Sequence, residues 1–225
     1  MIKMVIFDMA GTAIDEDNIV YKTISSVLNE FGMEVGLDLV LLHGAGKEKW
    51  QAIHDILQQI DGVAPPNETV TELYHHFQVK LDSVYEIAPM QLFEPLPDVI
   101  RKLRSQDIKV VFNTGYSRPV AEKILKKVNC RIDRDIDALI TASDVLRGRP
   151  APDMIWKACD QFNLKPNQTV KIGDSQIDIE EGRNAGAKYC IGITTGAQCR
   201  EVLEKANPDY VIDNVDELWD ILSLS

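Results

Sequence analysis

Three acids stand where an apolar run stops. Asp8 closes the run Met4 to Phe7 and leads into a turn marked by Gly11 and Thr12, while Asp174 closes a second run in "IGDSQID", with Asp178 four residues later. That spacing lets Asp174 and Asp178 face one point, and three carboxylates at strand ends make a hard oxygen-ligand set suited to Mg²⁺. Two further run ends supply what a phosphate oxygen needs. Asn113-Thr114-Gly115 follows "VVF" with a hydroxyl and free backbone N–H groups. Arg149, in "GRPAPD" just ahead of a helix start marked by Pro152 and Asp153, can neutralise a phosphoryl group. If Asp8 is a nucleophile, a carboxylate two residues on would be the natural proton donor. Position 10 is alanine instead.

The elements that must position these residues are legible in the hydrophobic pattern. Apolar runs at 4–7, 108–113, 138–141, 169–173, 189–194 and 210–212 alternate with helical patterns near 97–105, 117–128, 152–163, 176–186, 199–206 and 215–223. This alternation predicts an α/β fold, a Rossmann-like parallel sheet with helices on both faces, whose ligands sit at the carboxyl ends of the strands. Residues 16–90 break the rhythm. They carry Val20, Ile24, Val27, Leu28 and Phe31, then Trp50, Ile53, Ile56, Leu57 and Ile60, then Val70, Leu73, Phe77 and Leu81, all at helical spacing. The expected organisation is therefore a core of residues 1–15 and 91–225 with a helical insertion at 16–90, punctuated on its return by Pro89, Pro95 and Pro97.

Composition narrows the partners. A formal charge of -11 over 225 residues argues against nucleic acid and anionic membrane, both of which select clustered Lys and Arg. Cys130, Cys159, Cys190 and Cys199 form no C-x-x-C pair and read as reduced thiols; Cys199 falls at the start of a helical pattern. No apolar stretch approaches a membrane span, and the N-terminus enters a strand without a targeting pattern, so a cytoplasmic location is expected. His75 and His76 read as partly packed and surface respectively, with no third ligand nearby for a metal.

Taken in order and spacing, "DMAGT", "FNTG", "GRPAPD" and "GDSQIDIEEGRNAG" resemble the four motifs of the haloacid dehalogenase superfamily. The resemblance implies a helical cap inserted after the first motif and Asp8 as the nucleophile that becomes an aspartyl phosphate. It implies Mg²⁺ held by Asp8, the backbone carbonyl of Ala10 and Asp174, with Asp178 supporting the metal shell. Thr114 and Gly115 would hold the phosphoryl oxygens, beside Arg149. Most phosphatases of the superfamily carry Asp at the position of Ala10. The chain resembles in this the phosphonatase branch, phosphonoacetaldehyde hydrolase and its close relatives, which has Ala there because a cap lysine forms a Schiff base with the substrate aldehyde and the C–P bond breaks to an enamine. "HGAGKEKW" places Lys47 at the G-x-x-K spacing of that lysine, with Lys49 as the fallback, and Tyr116 in "TGYSR" matches the branch's tyrosine. Trp50, His43 and Asn18 differ from the residues of that pattern.

The expected activity is a Mg²⁺-dependent phosphohydrolase acting on a small phosphorylated or phosphonated metabolite. One rival is a phosphate monoesterase or pyrophosphatase drawing its proton from His43 or water. Another, of a different class, is a metal- or metabolite-binding regulator without turnover.

Overall fold

The structure is a computed structural model that describes residues 1–223. Its sheet contains β1 (Met4–Asp8), β4 (Lys109–Thr114), β5 (Ala138–Thr141), β6 (Thr169–Gly173), β7 (Tyr189–Ile193) and β8 (Tyr210–Ile212). They are ordered β5-β4-β1-β6-β7-β8, and every pair is parallel. β1 is buried along its whole length, which is why its sequence is continuous rather than alternating. The register sets Asp8 opposite Asn113, so the polar ends of β1 and β4 emerge side by side.

Helices α5 (Leu96–Ser105), α6 (Arg118–Lys127), α7 (Asp153–Phe162), α8 (Gln176–Ala185), α9 (Arg200–Lys205) and α10 (Leu218–Ser223) follow the strands, within one or two residues of the expected spans except at the last. There a short 3₁₀ turn at 215–217 precedes the helix. Between β1 and α5 lie α1 (Ile19–Glu30), α2 (Leu37–Gly44), α3 (Lys49–Asp61) and α4 (Asn67–Ile87). Their apolar stripes, including Val20, Ile24, Leu28, Ile53, Ile56, Val70, Leu73 and Phe77, pack into one hydrophobic core that continues to Val5, Phe7 and Phe112 of the sheet.

The pattern gave no sign of a two-residue antiparallel ladder, β2 (Ile14–Asp15) against β3 (Gln91–Leu92), which ties the two crossings of the insert together. His75 and His76 are both exposed, so the expected partial packing of His75 is not seen. Cys130, Cys159 and Cys190 are buried free thiols and Cys199 an exposed one. Among the described residues, no helix is long and apolar enough to cross a membrane.

Candidate active site

Asp8 at the end of β1, Asp174 just past β6 and Asp178 in the first turn of α8 offer carboxylate oxygens that all lie within 4.8 Å of one another, and all three acids are buried. Asp174 is fixed by the Ala197 N–H, which donates to Oδ2 at 2.6 Å, and Asp178 by the Ser175 hydroxyl, which donates to Oδ2 at 2.5 Å. The chain makes room for Asp174: a Cβ on Gly11, where φ is +80°, would stand 2.3 Å from its Oδ2. Only glycine suits that position, both for the backbone angle and for the space.

Arg149 is buried behind the nucleophile position. Its Nη1 lies 2.7 Å from Asp8 Oδ1 and 3.0 Å from Asp178 Oδ1, and its Nε lies 3.2 Å from Glu181 Oε2. Lys171, in the middle of β6, reaches the same group, 2.9 Å from Asp178 Oδ1 and 2.6 Å from the Asn113 side-chain carbonyl, to which it donates. Asn113 in turn donates to both oxygens of Glu181. Four buried carboxylates (Asp8, Asp174, Asp178, Glu181) thus face two buried cations (Arg149, Lys171). The surplus is two negative charges, the charge of one divalent cation, and oxygen ligands at this spacing fit Mg²⁺ or a similar hard ion.

The ionisation behaviour carries the same message. Burial, with the neighbouring Asp178 charge adding to it, raises the Asp8 carboxyl above its usual range despite Arg149. Asp174 is pushed up further, by burial and then by the charges of Asp8 and Asp178. Burial also opposes the Asp178 carboxylate, but Arg149 and Lys171 more than offset it and hold that carboxyl low. The uncompensated charge therefore sits on Asp8 and Asp174, where a bound cation would relieve it.

A small cavity of about 20 Å³ opens on this centre, lined on the core side by Asp8, Ala10, Thr114, Gly115, Arg149 and Asp174, and on the insert side by Tyr21, Gly46 and Lys49. Tyr116 completes it and also lines a larger cavity of about 320 Å³, shared with Lys49 and Gly115 and walled by Tyr74, Phe77, Leu81 and Tyr85. Gly46 lets the insert come this close: with φ at +74°, a Cβ there would stand 2.4 Å from the Ser175 hydroxyl.

The insert lysine at the cavity is Lys49, and Lys47 lies elsewhere. Lys47 Nζ pairs with Asp55 at 2.5 Å in a partly exposed cluster that also contains His54 and Gln51. Lys49 is the first residue of α3, and helical side chains lean toward the N-terminus, so it projects off the end of the helix into the cavity. Its Nζ donates to the Lys47 carbonyl at 2.8 Å and lies 5.1 and 5.9 Å from the ring centroids of Tyr21 and Tyr116. Among the described residues it forms no ion pair with a carboxylate, and burial lowers its ammonium below the ordinary lysine value. A desolvated lysine of this kind can act as an amine. His43 is half-buried on α2 and lines neither cavity.

Beyond the expected residues, Lys171, Glu181 and Glu16 belong to this neighbourhood. Glu16 is 3% exposed, its Oε2 has no hydrogen-bond partner, and burial pushes its carboxyl up to about 8.

Residues 2–186 match the family model for haloacid dehalogenase-like hydrolases. The chain is 28% identical over 222 residues to pyrophosphatase PpaX of Bacillus mycoides, covering 99% of this chain and 97% of that protein. It is 29% identical over 206 residues to phosphonoacetaldehyde hydrolase of Bacillus cereus, covering 87% and 77%. Among solved structures, a phosphonoacetaldehyde hydrolase-like protein from Oleispira antarctica superposes with a TM-score of 0.80 at 26% identity, over 99% and 91% of the two chains. A hydrolase from Pseudomonas syringae, 18% identical, superposes with a TM-score of 0.84 and shares the fold.

Proposed function

Since the chain belongs to the haloacid dehalogenase-like hydrolases, we propose that it cleaves a small phosphonate carrying a carbonyl group, by a phosphonatase-like route in which Asp8 takes the phosphoryl group and Lys49 activates the leaving carbon. The observation that carries this reading is the pairing of Ala10 with a half-buried Lys49, which among the described residues forms no ion pair with a carboxylate, across one cavity from Asp8.

In this reading the Lys49 amine condenses with the substrate carbonyl and the Asp8 carboxylate attacks phosphorus. The C–P electron pair moves onto carbon to form an enamine, so no acid is needed at position 10. Thr114 and the backbone N–H of Gly115 hold phosphoryl oxygens, Arg149 offsets their charge, and Tyr116 flanks the amine. The carboxylates of Asp8, Asp174 and Asp178 fit Mg²⁺ and, with the Ala10 carbonyl, would hold it, and when bound it would offset the charge that repels an anionic nucleophile from phosphorus. Residues 16–90 serve as the cap over a core of 1–15 and 91–225, and substrate selection falls to the larger, aromatic-walled cavity.

The test is Mg²⁺-dependent phosphate release from phosphonoacetaldehyde, run beside pyrophosphate and a panel of phosphate monoesters. Release from the carbonyl phosphonate supports the reading. Release from pyrophosphate or monoesters alone replaces it with a phosphatase whose leaving-group proton comes from Lys49 or water. Tight Mg²⁺-dependent ligand binding without turnover would indicate a regulator.

A further inference from the structure

The cavity of about 320 Å³ beside the candidate site is larger than the carbon skeleton of a simple aldehyde can fill. An apolar cavity of about 150 Å³ already takes a benzene ring, so this one has room for a ring and the atoms that link it. It meets the small cavity over Asp8 at Lys49, Gly115 and Tyr116, the residues that line both. A carbonyl carbon bonded to the Lys49 nitrogen carries two other substituents. One is the CH2 that joins it to phosphorus, on the side of Asp8; the other has the larger cavity open to it. In an aldehyde that second substituent is hydrogen, and the cavity keeps its water.

The walls show what would replace that water. Tyr74 and Phe77 of α4 stack, with ring centroids 6.1 Å apart and planes inclined by 27°. Leu81, one turn farther along α4, is buried, and Val120 of α6 lines the cavity from the core. The Tyr85 hydroxyl donates to the Tyr116 hydroxyl at 3.2 Å, so each of these phenols has a partner within the wall. Among the described residues lining the cavity Lys49 is the one cation, and the amine role occupies it. The acids there are both exposed: Glu48 accepts from the Gln51 N–H at 3.1 Å, and Asp82 pairs with Lys123 at 3.2 Å. An anionic substituent would give up its hydration to face aromatic rings and two carboxylates, whereas an apolar ring would release water from apolar walls.

We propose that the substrate is a 2-oxoalkylphosphonate, a ketone rather than an aldehyde, whose second carbonyl substituent is apolar, about the size of a benzyl group, and seated in this larger cavity. The overall reaction converts the ketophosphonate and one water into a methyl ketone and phosphate. The C–P bond breaks with its electron pair going to the CH2 carbon, which then takes a proton. Phosphorus gains a bond to the Asp8 carboxylate and is released from it by water. The proposal rests on the carbonyl-phosphonate reading and the amine role given to Lys49 above, and it adds the class of ketone that the protein selects.

The test compares kcat/KM for phosphate release from phosphonoacetaldehyde, 2-oxopropylphosphonate, 2-oxo-3-phenylpropylphosphonate and 3-phosphonopyruvate. The benzyl ketone should exceed the methyl ketone, which has a carbonyl of similar reactivity, by at least ~10-fold. Phosphonopyruvate, with a carboxylate in the same place, should be the poorest. Leu81→Phe and Val120→Phe add bulk to the cavity from the insert and from the core, and each should cut the benzyl-to-methyl ratio by ~10-fold or more, chiefly through KM. A methyl ketone as good as the benzyl ketone, or a ratio that neither variant changes, would overturn the proposal, while turnover of phosphonoacetaldehyde in the same assays would leave the reading beneath it standing. Absence of phosphate release from every one of these phosphonates would overturn that reading and this proposal with it.

Discussion

Replacing Glu16 by Gln should stabilise the fold, by an amount that depends on pH. The carboxyl is raised from its ordinary 4.5 to about 8, chiefly by burial. At roughly 1.4 kcal/mol per pH unit, the ionised side chain costs the folded state on the order of 5 kcal/mol. For an acid whose folded pKa is raised, the native state binds more protons than the unfolded chain between the two values, so stability falls as pH rises across that window. Below pH 4.5 the wild type bears none of this cost. At pH 7 it bears on the order of 3 kcal/mol, and above pH 8 the full amount. Gln keeps the Val20 contact and cannot ionise, so it escapes the penalty at every pH. Urea unfolding of both proteins at pH 5, 7 and 9 should show the advantage of Glu16→Gln growing steadily and then levelling off. A difference that is flat across pH would mean that Glu16 is ionised in the fold at no cost, and would refute the argument.

Three further outcomes are expected. Lys171→Met removes one of two cations from a buried group of four carboxylates and should cost about 3–5 kcal/mol in urea unfolding, since it leaves Asp178 and Glu181 short of a partner; a loss below 1 kcal/mol would show that Arg149 suffices. Mg²⁺ at a hundredfold excess over its Kd should stabilise the wild type by about 2.7 kcal/mol in thermal unfolding, and Asp174→Asn should abolish the effect; equal stabilisation of both proteins would place the ion elsewhere. The cavity over Asp8 holds about one water, too little for a phosphoryl group, so admission of substrate should require the insert to move away from the core. Small-angle scattering should accordingly give a smaller radius of gyration with Mg²⁺ and orthovanadate than without them, and identical curves would contradict that motion.

Much of the core centre was legible because a parallel sheet forces legibility: each strand is a continuous apolar run, so the first polar residue after it marks the face where ligands bind. Asp8 and Asp174 were found in that way, and Thr114 one residue past the polar Asn113, and the structure brings the three to one cavity. The lysine was harder. Gly44 and Gly46 both sit three residues before a lysine, so Lys47 and Lys49 fit one spacing equally, and only the start of α3 at Lys49 decides which side chain leans into the core. Lys171 carried a usable signal, because a lysine inside the buried run "TVKIG" must have a buried partner, and Glu181 is among those it finds. Glu16 gave none. Within "DEDN" it looks like a solvated turn, and its burial follows from the packing of the insert against the sheet, which no local pattern encodes.

The most direct test of the account compares Mg²⁺-dependent phosphate release from phosphonoacetaldehyde by the wild type, Lys49→Met and Lys47→Ala. With Lys49 as the amine facing Asp8, Lys49→Met should lose ~10²- to 10⁴-fold or more in rate while Lys47→Ala stays near wild type. Full activity in Lys49→Met, or its loss in Lys47→Ala alone, would contradict the account.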